Sequence, residues 1–167
     1  MTEFCEVKKP EEIRQVVKLA REIWHEHYTP IIGEVQVAYM LDTFQSEEAI
    51  RTQIEKEHYV YHLLLKDSAA IGYFSYLIQS GSLFLSKIYL LGKERRKGYS
   101  REIVALLEKF ANENEIDRIT LTVNRHNSDT ITAYKKLGFR ITGTQMQDIG
   151  EDFVMDDYCM EKDCLKL

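Results

Sequence analysis

Residues Gly92 to Arg101 (GKERRKGYSR) place five basic side chains, Lys93, Arg95, Arg96, Lys97 and Arg101, against one acid, Glu94. That is a local charge of +4 inside a chain whose formal net charge is −5. The segment joins an apolar, strand-like run to an amphipathic helical one. At such a joint, backbone N–H groups and the positive end of the helix dipole converge on one spot. Gly98 and Ser100 are small enough to let a phosphate approach the main chain. Two common phosphate motifs are excluded by spacing. A Walker loop needs G-x-x-x-x-G-K-[ST], whereas here five residues separate Gly92 from Gly98 and Tyr99 follows; no G-x-G-x-x-G occurs either.

Other reactive side chains point away from metal chemistry. Cys5, Cys159 and Cys164 are an odd set with no C-x-x-C pair, so buried or idle thiols are expected. His25 and His27 are two residues apart and therefore lie on different faces of a helix, and His25-Glu26-His27 is not an H-E-x-x-H motif. No metal site is expected. The chain has 167 residues, 44% of them apolar, enough for one domain, residues 1–167, with a core that needs no disulfide or metal staple. Neither a run of about 18 apolar residues nor an apolar signal core at the N-terminus (MTEFCEVKKP) occurs, so a cytoplasmic location is expected. The acidic balance opposes direct nucleic-acid binding.

The elements that must carry the basic loop follow from periodicity. Phe4 to Val7 reads as a short strand. Pro10 then suits the first turn of a helix with Ile13, Val16, Val17, Ala20, Ile23 and Trp24 on one face, running to about His27. Thr29-Pro30 and Gly33 predict a bend over 28–34, then a short helix near 36–42 and a third, capped by Ser46, ending near Glu57. Three strands (59–65, 69–78, 83–91) are separated by hairpin-type turns. Beyond the loop come a helix with Ile103, Leu106, Leu107 and Phe110, a strand with Ile119, Leu121 and Val123, a helix over 128–137 stopped by Gly138, and two last strands. This order predicts an α/β three-layer sandwich on a mixed, mostly antiparallel sheet of about seven strands flanked by helices.

Arg95-Arg96-Lys97-Gly98-Tyr99-Ser100 resembles the acetyl-CoA loop of the GNAT superfamily of N-acetyltransferases, [QR]-x-x-G-x-[GA], with Ser100 where the family usually has Gly or Ala. A second family motif is present in NSDTITAYKKLGF as Asn127, Ile131, Tyr134 and Gly138-Phe139. The resemblance covers residues 3–162 and implies acetyl transfer from acetyl-CoA to an amine. It implies that the pantetheine arm pairs with the backbone of Ile88, Tyr89 and Leu90, and that an N–H near Leu90 holds the acyl oxygen. The segment Arg95, Arg96, Lys97, Gly98, Tyr99, Ser100 and Arg101 would hold the pyrophosphate. Asn127 would contact the CoA arm and Tyr134 would serve as general acid, a phenol with a pKa of about 10 being able to protonate a departing thiolate.

The base is open. An alkylammonium with a pKa near ~10.4 is neutral in only about one molecule in ~2,500 at pH 7, so its proton must be removed. Several family members use a Glu where this chain has Thr122. Glu26, His25 and His27, at the end of the first helix, are the remaining candidates. The segments around 23–33 and 148–158 resemble a bacterial GNAT subgroup related to polyamine acetyltransferases, implying a small primary amine between Trp24 and Tyr28 as cation-π walls, with Asp156 among the acids that would attract it. From Gln145 onward seven acids face only Lys162 and Lys166, which serves either cation attraction or solubility. Acetylation of a protein N-terminus or lysine, and a CoA-binding regulatory module with little turnover, are the alternatives. Exposed strand edges allow a homodimer.

Overall fold

The computed structural model describes residues 2–164. Helix α1 (Pro10–Ile32) opens with Pro10 at its first position, where the missing N–H costs nothing. The Glu12 carboxylate accepts the backbone N–H groups of Lys8 and Lys9 at 2.9 and 2.8 Å, and these bonds hold its carboxyl below the usual range. Ile13, Val16, Leu19, Ala20, Ile23 and Trp24 form the buried stripe.

The bend expected over 28–34 is absent. α1 runs on through Pro30 to Ile32, and the turn is confined to Gly33, at φ +88°. A proline inside a helix removes one ladder hydrogen bond. Here the turns around it are held by other contacts: Tyr28 packs edge-on against Trp24, and the Gly33 N–H donates to Thr29 O at 3.0 Å. Helix α2 (Glu34–Phe44) therefore starts directly after Gly33. Ser46 caps α3 (Glu47–Glu55) as expected, its Oγ accepting the Ala49 N–H at 3.1 Å.

The strands are β1 (Thr2–Glu6), β2 (Val60–Lys66), β3 (Ala69–Gln79), β4 (Ser82–Leu90), β5 (Arg118–Asn124), β6 (Arg140–Gly150) and β7 (Phe153–Asp163). They form one seven-stranded mixed sheet in the order β1-β2-β3-β4-β5-β7-β6. Helices α4 (Tyr99–Glu113) and α5 (Ser128–Lys136) complete the five that flank it. β1–β2, β2–β3, β5–β7 and β6–β7 pair antiparallel. β4 meets β5 in parallel over Ser82–Arg118, Leu83–Ile119 and Phe84–Thr120, the connection α4 makes necessary.

The chain divides into two compact units. The first comprises Met1–Leu77 and Lys87–Lys97, and the second Ile78–Ser86 and Gly98–Leu167. The core of the first centres on Tyr61, Leu63, Leu64, Tyr73, Phe74 and Ile23, and that of the second on Leu83, Leu85, Ile103, Leu107 and Ile119. No helix among the described residues is long and apolar enough to cross a membrane.

Candidate active site

In the first unit the end of α1 and the end of β4 build an aromatic cluster. Trp24 is buried, with its indole N–H donating to Tyr73 Oη at 3.1 Å. Tyr89 lies 5.4 Å from the Trp24 ring centre, and the Tyr28 and Tyr89 hydroxyls are 3.1 Å apart. His27 sits edge-on to Tyr28 at 4.9 Å. The polar tips continue inward: Tyr73 Oη donates to Gln45 Oε1, Gln45 Nε2 donates to Tyr61 Oη, and Tyr61 Oη donates to Gln53 Oε1 at 2.5 Å. Buried hydroxyls and amides need such partners. Lys87 reaches the Tyr59 and Tyr61 rings, its ammonium 5.5 and 5.7 Å from their centres. Burial lowers its pKa to about 8.

The same unit carries the first half of the basic loop. Glu26 Oε1 stands over Gly92, where any Cβ would collide with it, and lies 4.0 Å from the Arg95 guanidinium. Glu94 is only 7% exposed and pairs with Lys66 at 3.5 Å and Lys97 at 3.3 Å. Burial pushes its carboxyl up, but the hydrogen bond from Lys97 and the two ammonium charges outweigh this and hold it below the usual range. The acid that sequence arithmetic only subtracts from the loop's charge is thus one of its internal braces. Arg96 adopts a positive φ of 63° without being glycine, a conformation that costs side-chain-bearing residues energy.

In the second unit, Gly98 is the N-cap of α4 at φ +89°, in the left-handed region, and no side chain among the described residues caps the helix. The first helical bond runs from the Glu102 N–H to Gly98 O at 3.1 Å, so the N–H groups of Tyr99, Ser100 and Arg101 precede the ladder. The Tyr99 ring is buried, which leaves only its main chain available to an anion. Asn127, at the start of α5, is 3% exposed, and its side-chain amide nitrogen is buried without a hydrogen-bond partner among the described residues. Tyr134 is 8% exposed and packs edge-on against Phe139 at 5.4 Å, with Gly138 between them in sequence at φ +99°.

The acceptor-side acids separate into two kinds. Arg125 Nε lies 2.8 Å from Asp156 Oδ1, and its guanidinium covers the Tyr158 ring at 5.2 Å. Asp157 is buried instead, and desolvation, helped by the Asp156 charge, raises its pKa to about 6. Glu161 and Asp163 pair with Arg140 at 3.5 and 3.1 Å. Lys166 lies outside the described residues.

Residues 28–158 match the acetyltransferase (GNAT) domain family. The chain belongs to the GNAT acetyltransferase family.

A spermidine N(1)-acetyltransferase of Thermoplasma acidophilum is 25% identical over 150 residues, 87% of this chain and 91% of that protein. The crystal structure of PaiA N-acetyltransferase from Thermoplasma acidophilum in complex with coenzyme A superposes with a TM-score of 0.83 at 23% identity, covering 98% of this chain and 99% of that one. The ribosomal-protein-S18-alanine N-acetyltransferase from Escherichia coli gives 0.73 at 14% identity, over 100% and 96% of the two chains. The two structural likenesses show the fold.

In this GNAT acetyltransferase, sequence spacing located the loop and the Asn127–Phe139 motif on the expected elements. The Trp24 and Tyr99 side chains, both expected at the site, are buried. Trp24 continues the buried stripe and serves as backing for Tyr28, and the Tyr99 ring belongs to the core. Glu94, Lys87 and Asp157 were not singled out. For Glu94 a signal existed, since it is the one acid of the basic segment and stands three residues before Lys97, with which it pairs. For Lys87 and Asp157 none did, because burial is set by elements distant in sequence. Among the described residues no three His, Cys, Asp or Glu converge as metal ligands, and Cys5, Cys159 and Cys164 are unpaired.

Proposed function

We propose that this chain, working as one acetyltransferase domain over residues 1–167, transfers the acetyl group of acetyl-CoA to a small primary amine of the polyamine class. The observation that carries the reading is the Asn127 side chain, a buried amide donor without a partner among the described residues. Leaving such a group unsatisfied costs about 1–3 kcal/mol, a penalty removed when a ligand carbonyl accepts its hydrogen bond. The amide carbonyls of a pantetheine arm are acceptors of that kind.

Acetyl-CoA supplies an activated acyl thioester. The chain does the rest. The N–H groups of Tyr99, Ser100 and Arg101, with Arg95, Arg96 and Lys97, hold the pyrophosphate; Gly98 admits it because no Cβ stands in the way. The main chain of Ile88, Tyr89 and Leu90 holds the arm, and the Leu90 N–H polarises the acyl oxygen. Tyr134 Oη gives its proton to the departing thiolate sulfur. Glu26 and His27 are the candidates for taking the ammonium proton, Tyr28 offers an aromatic wall to the cationic acceptor, and Asp156 is among the acids that attract it. The polyamine class rests on the likeness to the spermidine acetyltransferase and on the acids of the C-terminal hairpin.

CoA release from acetyl-CoA is the test, measured across spermidine, spermine, short diamines, amino acids and N-terminal peptides. Acceleration by the polyamines supports the reading. Acceleration by peptides alone replaces it with protein acetylation, and silence across the panel with acetyl-CoA still bound favours a regulatory module.

A further inference from the structure

β7 carries a carboxylate that is buried and that nothing else in the second unit holds. The Asp157 side chain is 4% exposed and makes no hydrogen bond or ion pair among the described residues. Other acids of the same strand are paired: Asp156 with Arg125 at 2.8 Å, and Glu161 and Asp163 with Arg140. Across the two ladders Asp157 stands opposite Asn124 on β5 and Gln145 on β6, neither of them charged. The charge it feels is that of Asp156, which repels it and, with burial, raises its pKa to about 6. An unpaired buried charge is costly, and a cation brought to it from outside removes the cost.

Its place in the sheet brings it to the candidate site. Residues directly opposite in a ladder share a face and successive residues alternate, so Asp157 shares a face with Asn124 and Thr122. Met160 and Lys162 turn to the other face, where Lys162 bonds Glu108 of α4 and the main-chain oxygen of Leu137, just past α5. Asp157 is thus turned away from those two helices. Its β5 partner, Asn124, opens a short turn that closes at Asn127, with the Asn127 N–H donating to Asn124 O at 2.9 Å and the Arg125 N–H to Asp156 O at 3.1 Å. Two buried polar groups without partners therefore bracket one turn: the carboxylate beside its first residue and the Asn127 amide at its last. Tyr134, the acid for the thiolate, belongs to α5, so proton donor and carboxylate serve the reacting centre from opposite faces of the sheet.

We propose that Asp157 is a specificity-determining residue of this site, its carboxylate pairing with an ammonium group of the acceptor. The inference rests on the acetyl-transfer reading above and adds the group that selects the acceptor's charge. No bond or proton changes hands in the pairing. It favours cationic amines over neutral ones, and it opposes amino acids, whose own carboxylate Asp157 repels.

Asp157→Asn removes the charge and keeps the shape. Spermidine is titrated calorimetrically into the full chain saturated with CoA, where no acetyl group is available for turnover. At about pH 8 the variant should bind spermidine at least about tenfold more weakly than the unsubstituted chain, with acetyl-CoA affinity the same in both. Since the carboxyl has a pKa of about 6, only about one in ten is ionised at about pH 5, while the amines stay protonated. The difference should therefore shrink to about twofold there. Asp163→Asn removes the same charge from the same strand and should leave spermidine binding within about twofold. The proposal is overturned by no binding to the unsubstituted chain, by a variant that binds as tightly at about pH 8, by a difference independent of pH, or by an equal loss from Asp163→Asn. The acetyl-transfer reading fails separately, as silence in the CoA-release panel, whatever the titrations show.

Discussion

The indole N–H of Trp24 donates to the hydroxyl of Tyr73 at 3.1 Å, and that hydroxyl in turn donates to Gln45 Oε1 at 2.8 Å. One phenol thus ties α1 to the junction between α2 and α3. Tyr73 is fully buried, so Tyr73→Phe leaves a buried donor and a buried acceptor without partners. A loss of about 2–4 kcal/mol is expected, read as a lower urea midpoint with an unchanged slope. A change below about half a kcal/mol would mean that water replaces the hydroxyl.

Tyr134→Phe removes only the hydroxyl, and the ring contact with Phe139 at 5.4 Å is kept. Turnover should fall by at least about tenfold while acetyl-CoA affinity stays nearly constant. Unchanged turnover would remove Tyr134 from the mechanism.

Gly98 separates backbone strain from steric blockage. A Cβ there meets nothing within 4 Å among the described residues, but φ is +89°. Gly98→Ala should cost about 1–2 kcal/mol of stability from the left-handed conformation. Gly98→Val should in addition weaken acetyl-CoA binding, followed by equilibrium titration, because the branched side chain occupies the space a phosphate needs. Wild-type affinity in the valine variant would sink the loop assignment.

Asp157 gives a pH dependence of defined sign. Its folded pKa is raised to about 6 from an ordinary 3.8, so the folded state binds the proton more tightly than the unfolded one. The group therefore penalises folding above pH 6, and the penalty disappears as pH falls from about 6 towards 4. Asp157→Asn should stabilise the protein at pH 8, and the advantage should shrink steadily down to pH 4. Urea midpoints of both chains across that range decide it. An advantage independent of pH would show that Asp157 carries no buried charge.

The expected bend over 28–34 fails because Pro30 and Gly33 are local breakers, and local propensity says nothing about Tyr28 finding Trp24 and Tyr89. The same limit governs Trp24 itself. Its place on the apolar stripe was legible, but that Tyr73 would meet its N–H was not.

Charge shows the division again. The excess of acids after Gln145 reads as one cluster in the chain, yet the fold gives Asp156 to Arg125, Glu161 and Asp163 to Arg140, and buries Asp157. Four acids become three different electrostatic objects according to which strands lie beside them.

By itself, the sequence determined what depends on neighbours along the chain. It set the order of strands and helices, the Ser46 cap, the basic loop with glycine at its turn, and the 127–139 motif, because hydrogen-bond periodicity and side-chain size act over a few residues. Tertiary structure alone decided which groups lose water: the orphaned amide of Asn127, the brace at Glu94, the depressed Lys87 and the raised Asp157. Desolvation is a property of everything packed around a group, and those neighbours arrive from distant parts of the chain.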